Sequence, residues 1–200
     1  MKEFLAMVSA VLVIVIYGVG LIRYVFQVIR NPEAKAFMLS TWLLFSVATG
    51  LNVFSFFWGG DREWYSGILG ICDFALCIIV FLITLKFAYG GFHLKPFECY
   101  YLIGAAAIVL FWILSDSSLV TNLLAEGLLV VAYIPTIHNI LVERKSSEPV
   151  STWYILLLGT VFSFHPAIAE GEWLSVIYSF RAFVSILLVL GFTFKFRGVA

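Results

Sequence analysis

Seven stretches of about 20 residues, each almost wholly apolar, follow one another along a chain of 200 residues. A helix rises about 1.5 Å per residue, so roughly 20 residues cross the roughly 30 Å of hydrocarbon in a bilayer. The stretches run near Phe4 to Phe26, Phe37 to Trp58, Ser66 to Tyr89, Glu98 to Ser115, Leu119 to Leu141, Ser151 to Ala169, and Trp173 to Lys195. Short connectors rich in Gly, Pro, Ser and charge separate them, and no soluble domain fits between. Only 12% of the residues are charged while 62% are hydrophobic, against about 25% charged in soluble proteins. The expected fold is therefore an all-α integral membrane protein of seven transmembrane helices, with the lipid bilayer as its surroundings. Lys2 precedes the first apolar stretch, but the uncharged run from Phe4 to Ile22 is long for the core of a cleaved signal, so it is read as a mature helix.

Absent patterns narrow the chemistry. Twelve Lys plus Arg balance twelve Asp plus Glu without a basic run, so nucleic acid is not an expected partner. Cys72, Cys77 and Cys99 form no C-x-x-C pair and read as small buried apolar residues. His93, His138 and His165 are scattered, so no metal site is expected. Without a G-x-S-x-G elbow, P-loop or dinucleotide fingerprint, no enzyme activity and no cofactor is expected. A retinal protein would want a lysine in the middle of the last helix, whereas Lys195 is at its end.

Charge placement sets the expected orientation. If the spans alternate, one side holds Lys2 and Arg62 beside Glu3, Asp61, Glu63, Asp116, Glu170 and Glu172. The other holds Arg30, Lys35, Lys86, Lys95, Arg144, Lys145, Lys195 and Arg197. Lys and Arg accumulate on cytoplasmic loops, which predicts an outward N-terminus and a cytoplasmic C-terminus. The lack of long tails or a sorting signal points to a bacterial inner (plasma) membrane.

The chain also resembles itself at an offset of 109 to 111 residues. Tyr24 aligns with Tyr133, Ser40-Thr41-Trp42 with Ser151-Thr152-Trp153, Glu63-Trp64 with Glu172-Trp173, and Lys86-Phe87 with Lys195-Phe196. Spans one to three thus match spans five to seven. With the fourth span between them, the copies share one orientation, as in transporters built on parallel repeats. The expected organisation is a first triple-helix bundle over 1–90, a linker transmembrane helix over 91–117 and a second bundle over 118–200. The linker's Gly104-Ala105-Ala106-Ala107 suits close packing. A homo-oligomer stays open.

One segment carries a family likeness. Tyr133-Ile134-Pro135-Thr136-Ile137-His138-Asn139, then Lys145-Ser146-Ser147-Glu148-Pro149, then Ser151-Thr152-Trp153 resembles the PQ-loop motif of the SWEET and SemiSWEET superfamily. Phe26-Gln27 and Ser40-Thr41-Trp42 form a weaker copy in the first half. The Pro-Gln pair is split, with Gln27 in one copy and Pro135 in the other. The resemblance implies two triple-helix bundles rocking about a central site, with Gln27, Pro135 and Pro149 as gating elements. A proline removes a helix hydrogen bond and permits a bend, though Pro135 and Pro149 read equally well as a static kink and a helix start.

Ionisable groups within spans cost about 2.5 to 3.5 kcal/mol each on insertion scales, so they mark candidate sites. Asp73, Glu126 and Arg181 each lie about 10–12 Å from the outer end of a span, at about 1.5 Å per residue. Asp73 and Arg181 are near-equivalents across the repeat, where the resemblance places polar pocket residues. They are expected either to pair when the pocket is empty and part around a polar solute, or to lock the bundles as a permanent salt bridge. Glu126 is a proton-coupling candidate or a structural partner of Arg181. His165 is a second proton-coupling candidate or a satisfied interfacial histidine. Asn52 and Ser163, equivalent at offset 111, and Phe162 are further substrate-binding candidates. Trp42 and Trp153 are expected as cytoplasmic-interface anchors.

These readings converge on a transporter that moves a small polar solute, a sugar or similar metabolite, by alternating access. The alternative is a receptor or scaffold of the same fold that does not transport. A third reading is a vitamin-precursor carrier of the same plan.

Overall fold

A computed structural model describes residues 1–30, 35–87, 96–143 and 150–197; within these ranges it leaves out the side chains at 27–29, 35–38, 40, 87, 135, 139, 143, 196 and 197. The described residues form α1 (Lys2–Arg30), α2 (Lys35–Trp58), α3 (Ile68–Phe87), α4 (Pro96–Ser115), α5 (Ser118–Glu143), α6 (Val150–Ala169) and α7 (Trp173–Arg197), with no strand among them. All seven are long and apolar enough to cross a membrane. The seven expected spans are thus present as helices, with α3 starting two residues later than Ser66 because a turn occupies 64–67.

Why these helices assemble is visible on α1. Its inward face repeats as Ala6, Ala10, Val13, Tyr17 and Tyr24, all buried, while Val11, Val15, Val19, Ile22 and Phe26 are exposed. The valines, Ile22 and Phe26 of the other face can point outward because hydrocarbon, not water, is the solvent there. Small residues point inward because helix association in lipid depends on close packing rather than on escape from water. Many buried hydroxyls satisfy themselves within their own helix. Ser46, Thr49, Thr121, Thr160 and Thr193 each donate to the carbonyl four residues back. Such groups need no tertiary partner.

Six helices close a ring. Each packs on the next in the order α1, α3, α2, α5, α7, α6 and back to α1, and α3 also meets α7 and α6 across it. Exchanging α1 with α5, α2 with α6, and α3 with α7 carries this ring onto itself. α4 lies outside, against α5 and α2. Only 17% of its span is buried, against 61% for α2, so most of its surface is left for lipid. The Tyr101 hydroxyl pins α4 to the α2–α5 seam by donating to the carbonyls of Leu44 and Leu128, at 3.3 and 3.1 Å. Of the small-residue stretch, Ala105 is buried whereas Ala106 and Ala107 are exposed, so it contacts its neighbours along one narrow face.

Two glycines shape the connections that matter for the site. Gly171 ends α6 with φ +69°, a left-handed conformation that glycine adopts without steric cost. The backbone N–H of Glu172 then bonds Ala167 O at 3.0 Å and that of Gly171 bonds Ile168 O at 3.1 Å, a Schellman cap that places Glu170 and Glu172 on a tight turn. Gly159 on α6 serves close approach. A Cβ there would lie 2.5 Å from the Tyr17 ring, so only glycine lets that ring lie against α6.

Two expectations about burial are corrected. Trp42 and Trp153 are not interface anchors but are 7% and 5% exposed, turned into the ring, where the helices meet too closely for the indoles to reach the lipid boundary. Cys99 is exposed on the outlying α4, while Cys72 and Cys77 are buried.

Candidate functional site

The ring interior carries one layer of strong polar contacts, contributed by four elements and α1. From α3, Asp73 accepts two phenol hydrogen bonds: Tyr17 of α1 donates to Oδ1 and Tyr178 of α7 to Oδ2, each at 2.7 Å. From α5, Glu126 receives the Nε of Arg181 of α7 at 2.5 Å on Oε2 and the Nδ2 of Asn52 of α2 at 2.8 Å on Oε1. The Arg181 and Glu126 side chains are 9% and 8% exposed. The guanidinium also lies 4.5 Å from the centre of the Tyr178 ring, a cation–π contact that joins the two clusters. Asn122 extends the network by donating to the Asn52 carbonyl at 2.9 Å and to Ser55 Oγ at 3.3 Å. Its own side-chain oxygen has no partner among the described residues.

The expected pairing is therefore corrected. Arg181 pairs with Glu126 rather than with Asp73, because α7 packs beside α5 and the Glu126 carboxylate lies within direct reach of its guanidinium. Asp73 is held by two neutral tyrosines instead. Counting Asp73, Glu126 and Arg181, the layer carries a formal charge of minus one, and the carboxylate outside the direct ion pair is Asp73.

Two cavities flank this layer. The smaller, about 10 Å³, lies toward the 59–67 and 170–172 connectors, bordered by Asn52, Phe56, Ser66, Leu174, Ser175 and Tyr178 among others. The larger, about 40 Å³, lies toward the Trp42 and Trp153 end and is bordered by Asp73 and Arg181. At roughly 10–15 Å³ for one water, it has room for a few. Its remaining wall is largely aromatic. Trp42, Phe45, Tyr133, Trp153 and Tyr178 surround it. Four of these rings form a continuous band with centres 6.3 Å (Trp42–Phe45), 4.9 Å (Phe45–Tyr133) and 6.2 Å (Tyr133–Trp153) apart. The Trp42 indole N–H donates to Tyr24 Oη at 3.0 Å, whereas the buried N–H of Trp153 has no acceptor among the described residues.

The end that carries the acidic connectors is closed by contacts between α2–α3 and α6–α7. Arg62 meets Glu172 at 3.4 Å, and Tyr65 donates to Glu170 at 3.0 Å. Arg62 also donates to the carbonyl of Phe56 and lies 4.6 Å from the centre of that ring. Burial, then the hydrogen bond to the Glu170 carboxylate, pushes the Tyr65 phenol from 10.0 up to about 12.

The remaining candidates are dispersed. Asn52 joins the layer and borders the smaller cavity. Ser163 is buried between α6 and α7, bonded to Ser179 Oγ at 2.9 Å and to Thr160 O at 2.7 Å, and borders neither cavity. Phe162 lies on the exposed face of α6, away from both. His165 is exposed beside Ser9, with Nδ1 3.2 Å from its hydroxyl. Gln27 and Pro135 fall within α1 and α5, but their side chains are outside the described ones, and Pro149 lies outside the described residues. Sequence reasoning missed Tyr17, Tyr178 and the aromatic band. Tyr17 had a legible signal: it stands 109 residues before Glu126, at the repeat offset. Among the described residues, no group of His, Cys, Asp and Glu has the arrangement to hold a metal ion.

No protein-family model, curated protein or solved structure matches the chain.

Proposed function

We propose that this membrane protein is a carrier of SWEET-like plan, in which α1–α3 and α5–α7 rock about the central layer and move a small polar solute from one side to the other. The observation that carries this reading is the larger cavity. It lies inside the helix ring and is bordered by Asp73 and Arg181, in a protein whose buried hydroxyls are mostly spent on their own helices. A charged wall within a span is costly and marks a solute or ion pathway by default. Further support comes from the ring's invariance under exchange of the two helix triplets, and from the Arg62–Glu172 and Tyr65–Glu170 contacts, which join those triplets at the end with the acidic connectors. In this reading that end faces outward and is shut, and α4 is the linker. The solute enters and leaves as these contacts break and the Trp42–Trp153 end closes in turn.

Counterflow in proteoliposomes tests the carrier. Solute loaded inside should drive uptake of labelled solute from outside. Binding without exchange would favour the non-transporting receptor. Orientation is tested separately by a C-terminal reporter active only in the cytoplasm, whose silence would reverse the assignment.

A further inference from the structure

We infer that the solute is a small organic cation carrying a hydrogen-bond acceptor, held with its positive head between the aromatic band and Asp73. This rests on the carrier reading for its transport role but not for its binding chemistry. Three observations point the same way. First, the charge balance of the layer is unfinished: the direct ion pair of Arg181 is with Glu126 at 2.5 Å, while the hydrogen bonds on Asp73 come from the neutral phenols of Tyr17 and Tyr178. Two hydrogen bonds steady a carboxylate without cancelling its charge.

Second, the wall facing that charge is made of aromatic rings, which attract a positive head through their negative faces. Tyr178 and Tyr133 already serve the Arg181 guanidinium, leaving Trp42, Phe45 and Trp153 around the space. A sugar could stack on those rings but would need more hydrogen-bonding groups beside them, and a bare metal cation would need more oxygen ligands than Asp73 and its two tyrosines provide. An anion would face Asp73 directly.

Third, the two repeat-related tryptophans differ. Trp42 has Tyr24 as an acceptor at 3.0 Å, but Trp153 does not have its counterpart Tyr133 and is buried with its N–H unmatched. An oxygen on the solute would satisfy that donor, offsetting the cost of burying it bare.

The test uses purified full-length protein in nanodiscs and reads binding by tryptophan fluorescence, with choline, the neutral carbon isostere of choline, tetramethylammonium, glucose and glutamate as probes. Choline is expected to bind at least tenfold more tightly than its neutral isostere, which isolates the charge without any mutation. Asp73→Asn should weaken choline by about ten- to a hundredfold, the order expected when a partly screened opposite charge beside a quaternary head, which has no N–H to donate, is removed. Trp153→Phe keeps the ring and should remove only the advantage of choline over tetramethylammonium. Equal binding of choline and its isostere, glucose binding that survives Asp73→Asn, or no response to either cation would overturn the inference. Counterflow with the same probes keeps the two readings apart. Glucose exchange leaves the carrier standing and removes the cation, whereas choline binding without exchange does the reverse.

Discussion

At matching positions of the repeat, α1 and α3 meet through Tyr17 and Asp73, whereas α5 and α7 meet through Glu126 and Arg181. Tyr17 and Glu126 are 109 residues apart, and Asp73 and Arg181 are 108 apart. The same pair of helix contacts is therefore made once with a neutral donor on a carboxylate and once with a full ion pair. The difference teaches how two matching sets of helix contacts can differ in charge. One half closes its charge balance and becomes a strut, and the other leaves a negative charge facing the cavity. A second asymmetry runs parallel. Tyr24 satisfies Trp42, while Tyr133 packs edge-on against Phe45 and leaves Trp153 unmatched.

The comparison breaks most visibly if the ion pair is not a strut. Glu126→Gln leaves Arg181 buried without its counter-charge and should cost about 3–5 kcal/mol, the range for removing one partner of a buried pair. Thermal and denaturant unfolding in detergent micelles would read it, and wild-type stability in this variant would refute the assignment. Gly159→Ala tests the other half from behind. Its Cβ would lie 2.5 Å from the Tyr17 ring, so displacement of that ring should cost about 1–3 kcal/mol, as overpacking does, and should be relieved by Tyr17→Ala. Additive losses in the double variant would show that the two residues do not compete for one space.

Tyr17→Phe should cost only about 1 kcal/mol, in keeping with interhelical hydrogen bonds in membranes, because Tyr178 still donates to Asp73. A loss as large as that of Glu126→Gln would erase the contrast between the halves. The smallest effect concerns the closed end. With the Tyr65 phenol raised from 10.0 to about 12, its stabilising contribution is complete below pH 10 and is lost as pH rises through about 12. Ultraviolet difference titration should show one late tyrosine that Tyr65→Phe lacks; superposable titrations would remove the contact with Glu170 from the closure.

How far the site was legible follows from what each residue does locally. Asp73, Glu126 and Arg181 stood out because an ionisable group in an apolar span is conspicuous whatever its neighbours. Their pairing did not, since matched positions in a repeat say which residues correspond, not which touch. The structure joins Arg181 to Glu126 because α7 borders α5 in the ring, while Asp73 falls to tyrosines on α1 and α7. Phe162 was assigned by analogy of position, and helix rotation turned it to the exposed face. Trp42 and Trp153 were misplaced for a related reason: a tryptophan near a span's end is equally at home at the boundary or in a seam between helices.

Length and apolar composition alone determined seven helices able to span a membrane, because a bilayer leaves an isolated segment no other way to satisfy its backbone. The duplicated pattern was likewise written in one dimension. Only the tertiary structure decided which charges neutralise each other and which aromatic rings face a cavity, since both depend on the rotation and neighbours of each helix. Those quantities are set by close contacts such as Gly159 with Tyr17 and Tyr101 with the α2–α5 seam, between residues brought together from distant parts of the chain.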